Sequence, residues 1–325
     1  MKKIAILYNL NRQQFEYEAE FDSNATIRCI YDALKNNYKV YNIEADKNFS
    51  WIKTILKLKP DLVFNVCEGF YGPARESVYG AILEQINQNY SGPDSTNMLI
   101  CHNKFLTKNI LKEVVNTPKG YIIKNLDGLN NATSILYPAI VKLNSEGSSI
   151  GMSEKSIVYN YKDLYNQVDY LLSNYKRAVL VEEFIDGKDI SMAYIEGIGA
   201  LGPCEVDSQS LFYDYEMKTT KDNTVNIFGL DGNFSELKDK VNKIAEILDI
   251  KGYAKIDFRY KNNKYYLIEV NSQVSFHPQG EFMTCAYKED YSFNDIINHI
   301  VKNALQCTKK INSIGWYIHN GKIDR

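Results

Sequence analysis

In the first hundred residues short apolar runs alternate with stretches of helical period, and this alternation constrains the fold more than any other feature of the chain. Residues 4–8, 38–43 and 61–67 are too short for amphipathic helices and rich enough in aliphatic residues to read as buried strands. Between them, Ser23 is placed to cap a helix whose apolar residues Ile27, Ile30, Tyr31 and Leu34 recur at i, i+3, i+4 and i+7. A second helix covers 49–58 and stops before Pro60, and 78–86 reads as a third. Strand-then-helix alternation of this kind predicts parallel strands with helices on the sheet faces. The turn Ser91-Gly92-Pro93-Asp94 closes the unit.

From about residue 96 the texture changes. A helix over 104–115, strands near 118–123, 139–143, 156–159 and 178–184, and a helix over 161–175 predict an α+β unit. A third unit follows, with a strand over 190–198, a helix over 234–248 carrying Leu237, Val241, Ile244 and Leu248 on one face, a hairpin over 253–271 and a last helix near 293–305. The expected divisions are 1–95, 96–180 and 181–310, with a tail over 311–325 in which Trp316 and Tyr317 suggest packing.

Three segments carry chemistry. In the first, an apolar strand ends on Lys142 and runs into Glu146-Gly147-Ser148-Ser149-Ile150-Gly151-Met152, where glycines let backbone N–H groups approach a polyanion and serines add donors. A plain Gly/Ser turn would look similar. In the second, Glu182-Glu183-Phe184-Ile185 followed by Asp189 suits an adenosine, with apolar side chains on the base and a carboxylate for the ribose hydroxyls; an ordinary strand with an acidic turn is equally compatible. In the third, Lys255, Asp257 and Arg259 share one face of a strand, and Glu269 and Asn271 share one face of the next. An odd-numbered hairpin loop would place Asp257 opposite Glu269, a hard-oxygen site suited to magnesium. Glu269 lies within Leu267-Ile268-Glu269-Val270, which argues against a merely solvated charged face. The pattern Gly197-x-Gly199-x-x-Gly202 imitates a dinucleotide loop, but Pro203 follows it and no helix does.

Composition narrows the classes further. The 38 Lys and Arg against 40 Asp and Glu leave no basic footprint for nucleic acid. No apolar window is long enough for a membrane span. The six cysteines are scattered without a C-x-x-C pair, as expected of free thiols in a reducing cytoplasm.

In their order and spacing these segments resemble the ATP-grasp superfamily, specifically the D-alanine–D-alanine ligase group, over about residues 60–305. The resemblance also rests on Asn65 to Gly69 with Arg75-Glu76-Ser77, on Asn103-Lys104 with Thr107-Lys108, and on 212–218 ending in Lys218. It implies a Rossmann-like N-terminal domain and two α+β domains that sandwich ATP. It further implies a carboxylate activated as an acyl phosphate and joined to an amine, with release of ADP. In that scheme Lys104 and Lys142 hold the phosphates, Glu146, Gly147, Ser148 and Ser149 close over them, and Glu182, Glu183, Phe184, Ile185 and Asp189 take the adenosine. Asp257, Glu269 and Asn271 bind Mg²⁺. Lys218 and Ser149 attend the transferred phosphoryl group, and Lys255 stands where the family usually has an arginine over the acyl oxyanion. Glu68, Arg75, Ser275 and His277 face the substrates, with His277 either a base for the nucleophile or a structural histidine.

Two substrate-facing segments depart from the family. Leu7-Tyr8-Asn9-Leu10-Asn11-Arg12 replaces its Gly-Gly loop, and Ser272-Gln273-Val274-Ser275-Phe276-His277-Pro278 replaces its Pro-Gly element. A ligase with substrates other than two D-alanines is therefore expected. A carrier-protein thiol as acceptor, or a catalytically silent nucleotide sensor, are the alternatives, and a homodimer is a family expectation.

Overall fold

The structure is a computed structural model that describes residues 1–131, 134–207, 226–306, 318–319 and 322–323. Its N-terminal sheet is parallel, in the order β2-β1-β3, with β1 at Lys3–Tyr8, β2 at Lys39–Glu44 and β3 at Leu62–Val66. Alternation along β1 sorts its side chains between two cores. Ile4 and Ile6 pack on Ile27, Ile30 and Leu34 of α1 (Asn24–Leu34), while Ala5 and Leu7 face Trp51 and Ile55 of α2 (Ser50–Leu58) and Tyr79 and Leu83 of α3 (Arg75–Gln85). Ser23 caps α1 as its side chain accepts from the Thr26 N–H. Helix α3 starts three residues before the apolar pattern does, because its first turn is made of the buried polar residues Arg75, Glu76 and Ser77.

Two helices follow, α4 (Ser95–His102) and α5 (Lys104–Leu111), joined at Asn103. The four-stranded antiparallel sheet comes next, in the order β4-β7-β5-β6, from β4 (Gly120–Ile123), β5 (Ala139–Leu143), β6 (Ile157–Val158) and β7 (Val179–Glu183). Its apolar face is covered by Leu164, Val168 and Leu171 of α6 (Tyr161–Tyr175).

A five-stranded sheet completes the arrangement, in the order β10-β9-β8-β11-β12, from β8 (Lys188–Ile195), β9 (Gly199–Asp207), β10 (Asn226–Gly229), β11 (Tyr253–Lys261) and β12 (Lys264–Asn271). Leu237, Val241, Ile244 and Leu248, on and just after α7 (Ser235–Ile247), pack against Ile190, Met192, Ile256 and Phe258. Helices α8 (Glu281–Tyr287) and α9 (Phe293–Gln306) return the chain to the N-terminal sheet, where Ile296, Ile297 and Ile300 meet Ile4 and Phe64. Gly197 lies in the turn between β8 and β9, and Gly199 and Gly202 lie in β9, so no helix N-terminus follows the glycine pattern. No described helix is long and apolar enough to cross a membrane.

The hairpin pairs Asp257 with Glu269, as expected, by a different route. Its loop has two residues, Asn262 and Asn263, both with positive φ (50° and 59°), a conformation asparagine tolerates in tight hairpins. From Lys261↔Lys264 to Phe258↔Leu267 the register would set Asp257 against Ile268; instead Ile268 bulges out and Glu269 takes its place.

Candidate active site

A cleft opens between the four- and five-stranded sheets, lined by Lys104, Lys142, residues 146–150, Glu182 to Ile185, Asp189, Lys255, Asp257, Glu269 and Glu281 among others. The expected phosphate, adenosine and metal residues thus converge, with two exceptions. Asn271 stands beside the metal pair, and Lys218 lies outside the described residues.

The end expected to take the phosphates is built on β5 and α5. Strand β5 turns Lys142 into the cleft, and Asn144, just beyond, fastens α5 beneath the loop: its carbonyl accepts from Lys104 N–H at 3.1 Å and its side chain accepts from Phe105 N–H at 3.0 Å. Lys104 Nζ then donates to the Glu146 carbonyl at 2.5 Å and pairs with Glu269 at 3.1 Å. Lys108, one turn further along α5, is buried against Glu182 at 2.6 Å, and Lys142 meets the same carboxylate at 2.6 Å. Burial pushes Lys108 down to about 8, with Lys142 adding to the fall and Glu182 opposing it. Burial would raise Glu182, yet the two lysines outweigh it and hold the carboxylate below its usual range. Glu182 therefore orders the two lysines under the loop. Ser148 and Ser149 both have positive φ (46° and 58°), which is uncommon for residues with a side chain and turns successive backbone groups along the cleft.

At the end expected to take adenosine, Phe184 and Ile185 are buried, and Arg259 lies 5.7 Å from the Phe184 ring centre. Asp189 pairs with Arg259 at 2.5 Å; burial raises its pKa to about 6 against the pull of that arginine.

The Asp257–Glu269 pair has a partner the sequence did not single out: Ser191 Oγ donates to Asp257 Oδ1 at 2.6 Å. Asn271 Nδ2 lies 2.8 Å from Asp257 Oδ2 and 3.3 Å from Glu269 Oε1, and Lys255 Nζ lies 2.9 Å from Asp257 Oδ2. Burial, with the Glu269 charge, raises Asp257. Burial acts on Glu269 as well, but Lys104, Lys255 and Lys142 together hold it well below the carboxylate range. The two carboxylates are hard-oxygen donors of the kind Mg²⁺ takes, while Asn271 turns its amide NH₂, not its oxygen, toward both of them.

Carboxylate oxygens of Glu20, Glu68 and Glu76 come within 4.8 Å of one another. Arg75 is 2% exposed and fully engaged: it pairs with Glu20, with Glu146 at 2.8 Å, and donates to the Glu68 carbonyl at 3.1 Å. Glu76 holds His102 Nδ1 at 2.5 Å. Burial, reinforced by Glu76 and Glu20, pushes Glu68 well above its usual range. Cys67 beside it is buried and its thiol is pushed well up by that burial, so it is poorly suited to act as a thiolate. Ser275 donates to Asp22 at 3.0 Å, and His277 is exposed, accepts from Gln279 N–H at 3.2 Å and does not line the cleft.

Residues 123–302 match the family model described as D-ala D-ala ligase C-terminus. The chain belongs to the D-alanine–D-alanine ligase family. With that membership go the ATP-grasp fold and the class of ATP-dependent carboxylate–amine ligases acting on small molecules. Relatives named D-alanine–D-alanine ligase include that of Pelagibacter ubique (strain HTCC1062), 30% identical over 288 residues covering 84% of this chain and 90% of that protein. Another, from Aquifex aeolicus (strain VF5), is 30% identical over 280 residues, 85% of this chain and 93% of that protein. Among solved structures, the D-alanine–D-alanine ligase from Bacillus anthracis complexed with ATP superposes with a TM-score of 0.75 at 21% identity, covering 95% of this chain and 99% of that one. The VanG D-Ala:D-Ser ligase from Enterococcus faecalis gives 0.75 at 17% identity, with 93% and 99% covered. At these identities the structures speak for the fold.

Among the described residues, sequence reasoning passed over Asn144, Ser191 and Glu281 as functional positions. Lys108 carried a usable signal, its i, i+4 spacing from Lys104 on one helix face.

Proposed function

We propose that the chain converts a carboxylic acid to its acyl phosphate with Mg·ATP and joins it to an amine, and that its substrates are not two D-alanines. The observation that carries the reading is an asymmetry. Lys104, Lys142, Asp257, Glu269 and Lys255 gather at one end of the cleft, all chemically competent, while the substrate-facing segments 7–12 and 272–278 are rebuilt.

Phosphoryl transfer asks mainly for positioning and charge neutralisation. Lys104 and Lys142 hold the phosphates, and the backbone of 146–151 covers them and keeps water from the acyl phosphate. Asp257, Glu269 and Asn271 hold Mg²⁺, which when bound offsets the charge of the triphosphate. Lys255 faces the oxyanion that forms as the amine attacks, supplying charge without the planar fork of an arginine. Lys218 is assigned to the transferred phosphoryl group by the resemblance. The units 1–95, 96–180 and 181–310 are the corresponding domains. Trapping the activated acid with hydroxylamine in the presence of Mg·ATP tests the reading: a hydroxamate formed with ADP supports it, and ADP formation by no acid overturns it.

A further inference from the structure

Ser191, Asp257 and Glu269 lie in one row across three neighbouring strands, since the register sets Asp257 opposite Ser191 of β8 on one side and Glu269 of β12 on the other. The row tells the two carboxylate oxygens of Asp257 apart. Asn271 Nδ2 donates to Oδ2 at 2.8 Å and lies 3.3 Å from Glu269 Oε1, so Oδ2 is the oxygen on the Glu269 side, and Lys255 Nζ reaches the same oxygen at 2.9 Å. Oδ1 accepts from Ser191 Oγ at 2.6 Å, and Ser191 is buried. So short a bond to a carboxylate is charge-assisted and directional. It fixes the carboxylate about χ2, a torsion that is otherwise broad for aspartate.

Ser191 is itself held from behind. The pairing of β8 with β9 shifts register between Ser191 and Ala193, where Gly202 and Pro203 take up the extra length of β9. At this irregularity the Ser191 carbonyl accepts from the buried Cys285 Sγ of α8 at 3.3 Å. Gly202 has a φ of +100°, and a Cβ there would stand 2.8 Å from Cys285 Sγ, so the glycine leaves room for the thiol. The last position of the Gly197-x-Gly199-x-x-Gly202 pattern thus has a local role: it seats the thiol that fastens the backbone of Ser191.

We propose that Ser191 is a positioning residue for phosphoryl transfer, whose hydroxyl turns the Asp257 carboxylate so that Oδ2 stays on the Glu269 side for the divalent cation that accompanies the nucleotide. The proposal rests on the ligase reading and on Asp257 and Glu269 as metal ligands. Groups that orient metal ligands typically contribute about 10–100-fold to metal affinity. Without the hydroxyl Oδ1 loses its donor, the carboxylate is free to rotate, and Oδ2 no longer keeps its place opposite Glu269. Ser191 acts through Asp257 and exchanges no proton.

The test is calorimetric titration of the full-length protein with a non-hydrolysable ATP analogue in the presence and in the absence of Mn²⁺. The ratio of the two affinities measures what the metal contributes to nucleotide binding. Ser191→Ala should lower that ratio by about tenfold or more while the affinity without metal stays unchanged, a split that a merely structural role would not give. Ser191→Thr, which keeps the hydroxyl, should restore most of the ratio. A ratio near one in the unaltered protein, an unchanged ratio in Ser191→Ala, or no recovery in Ser191→Thr would overturn the proposal. Failure of the ligase reading is separate, since it appears as the absence of hydroxamate with every acid under Mg·ATP, whatever the metal does for nucleotide binding.

Discussion

Asp257 and Glu269 stand directly opposite each other across β11 and β12 because the chain skips Ile268 in the ladder. Without that bulge an aliphatic side chain would face Asp257, and the two carboxylates would lie on opposite faces of the sheet. Asp257→Asn should leave the fold intact and lower the rate of Mg·ATP-dependent ADP release by about a hundredfold, with a higher Mg²⁺ concentration needed for half-maximal rate. Glu269→Gln should behave alike, as measured by coupled ADP assay across a magnesium titration.

Glu182 neutralises two buried lysines at once, Lys108 and Lys142. Glu182→Gln should destabilise the protein by about 3–5 kcal/mol, the usual cost of leaving a buried charge without its partner. Urea unfolding of the two proteins checks this. A loss below about 1 kcal/mol would mean that the pair contributes little to the fold.

Arg75 ties the N-terminal segment to the phosphate loop through Glu20 and Glu146, and Glu16 holds the far end of the loop by accepting from Gly151 N–H at 3.0 Å. Arg75→Met should loosen the loop, raising the KM for ATP by about tenfold and the share of ADP released without amide product. The ratio of ADP to amide is the readout that a merely structural role would leave unmoved.

The Asp22 side chain is buried and accepts a hydrogen bond from Ser275, and burial raises its pKa to about 7 against that bond. A carboxyl whose folded pKa lies above its unfolded value contributes stability that is fully present below about 4 and is lost as pH rises through about 7. Between those limits the contribution of Asp22 should fall by a few kcal/mol, on the order of its pKa difference. Asp22→Asn should flatten that part of the profile of Tm against pH, which thermal unfolding from about pH 4 to 8 measures.

What could be read from the chain depended on whether a residue's role lay in its local pattern. Ile27, Ile30 and Leu34 announced α1, and Leu164, Val168 and Leu171 lie on α6 where the helical period places them, since burial follows period. Helix α8 and strand β9 escaped because neither shows a clean period: α8 is short and buried on several sides, and β9 has Gly199, Gly202 and Pro203 within it. At the site, Lys142 stood out at the end of an apolar strand, Asp257 and Glu269 by the strand faces they share, and Lys104 only through the family resemblance. The pairing of Lys108 with Glu182 joins residues 74 apart in sequence, and that of Arg75 with Glu146 joins residues 71 apart, so no local pattern could carry either. The route by which Asp257 meets Glu269 was hidden for a related reason, because a bulge leaves no mark in the alternation of Leu267, Ile268 and Val270.

The most direct measurement is to incubate the protein with Mg·ATP, hydroxylamine and a panel of carboxylic acids that includes D-alanine, following ADP and hydroxamate together, with a parallel reaction of D-alanine alone. The expected result is hydroxamate in proportion to ADP for at least one acid, and no D-alanyl-D-alanine at an ordinary turnover of about 1–10³ s⁻¹. Dipeptide formation at such a rate, or ADP release stimulated by no acid, would contradict it.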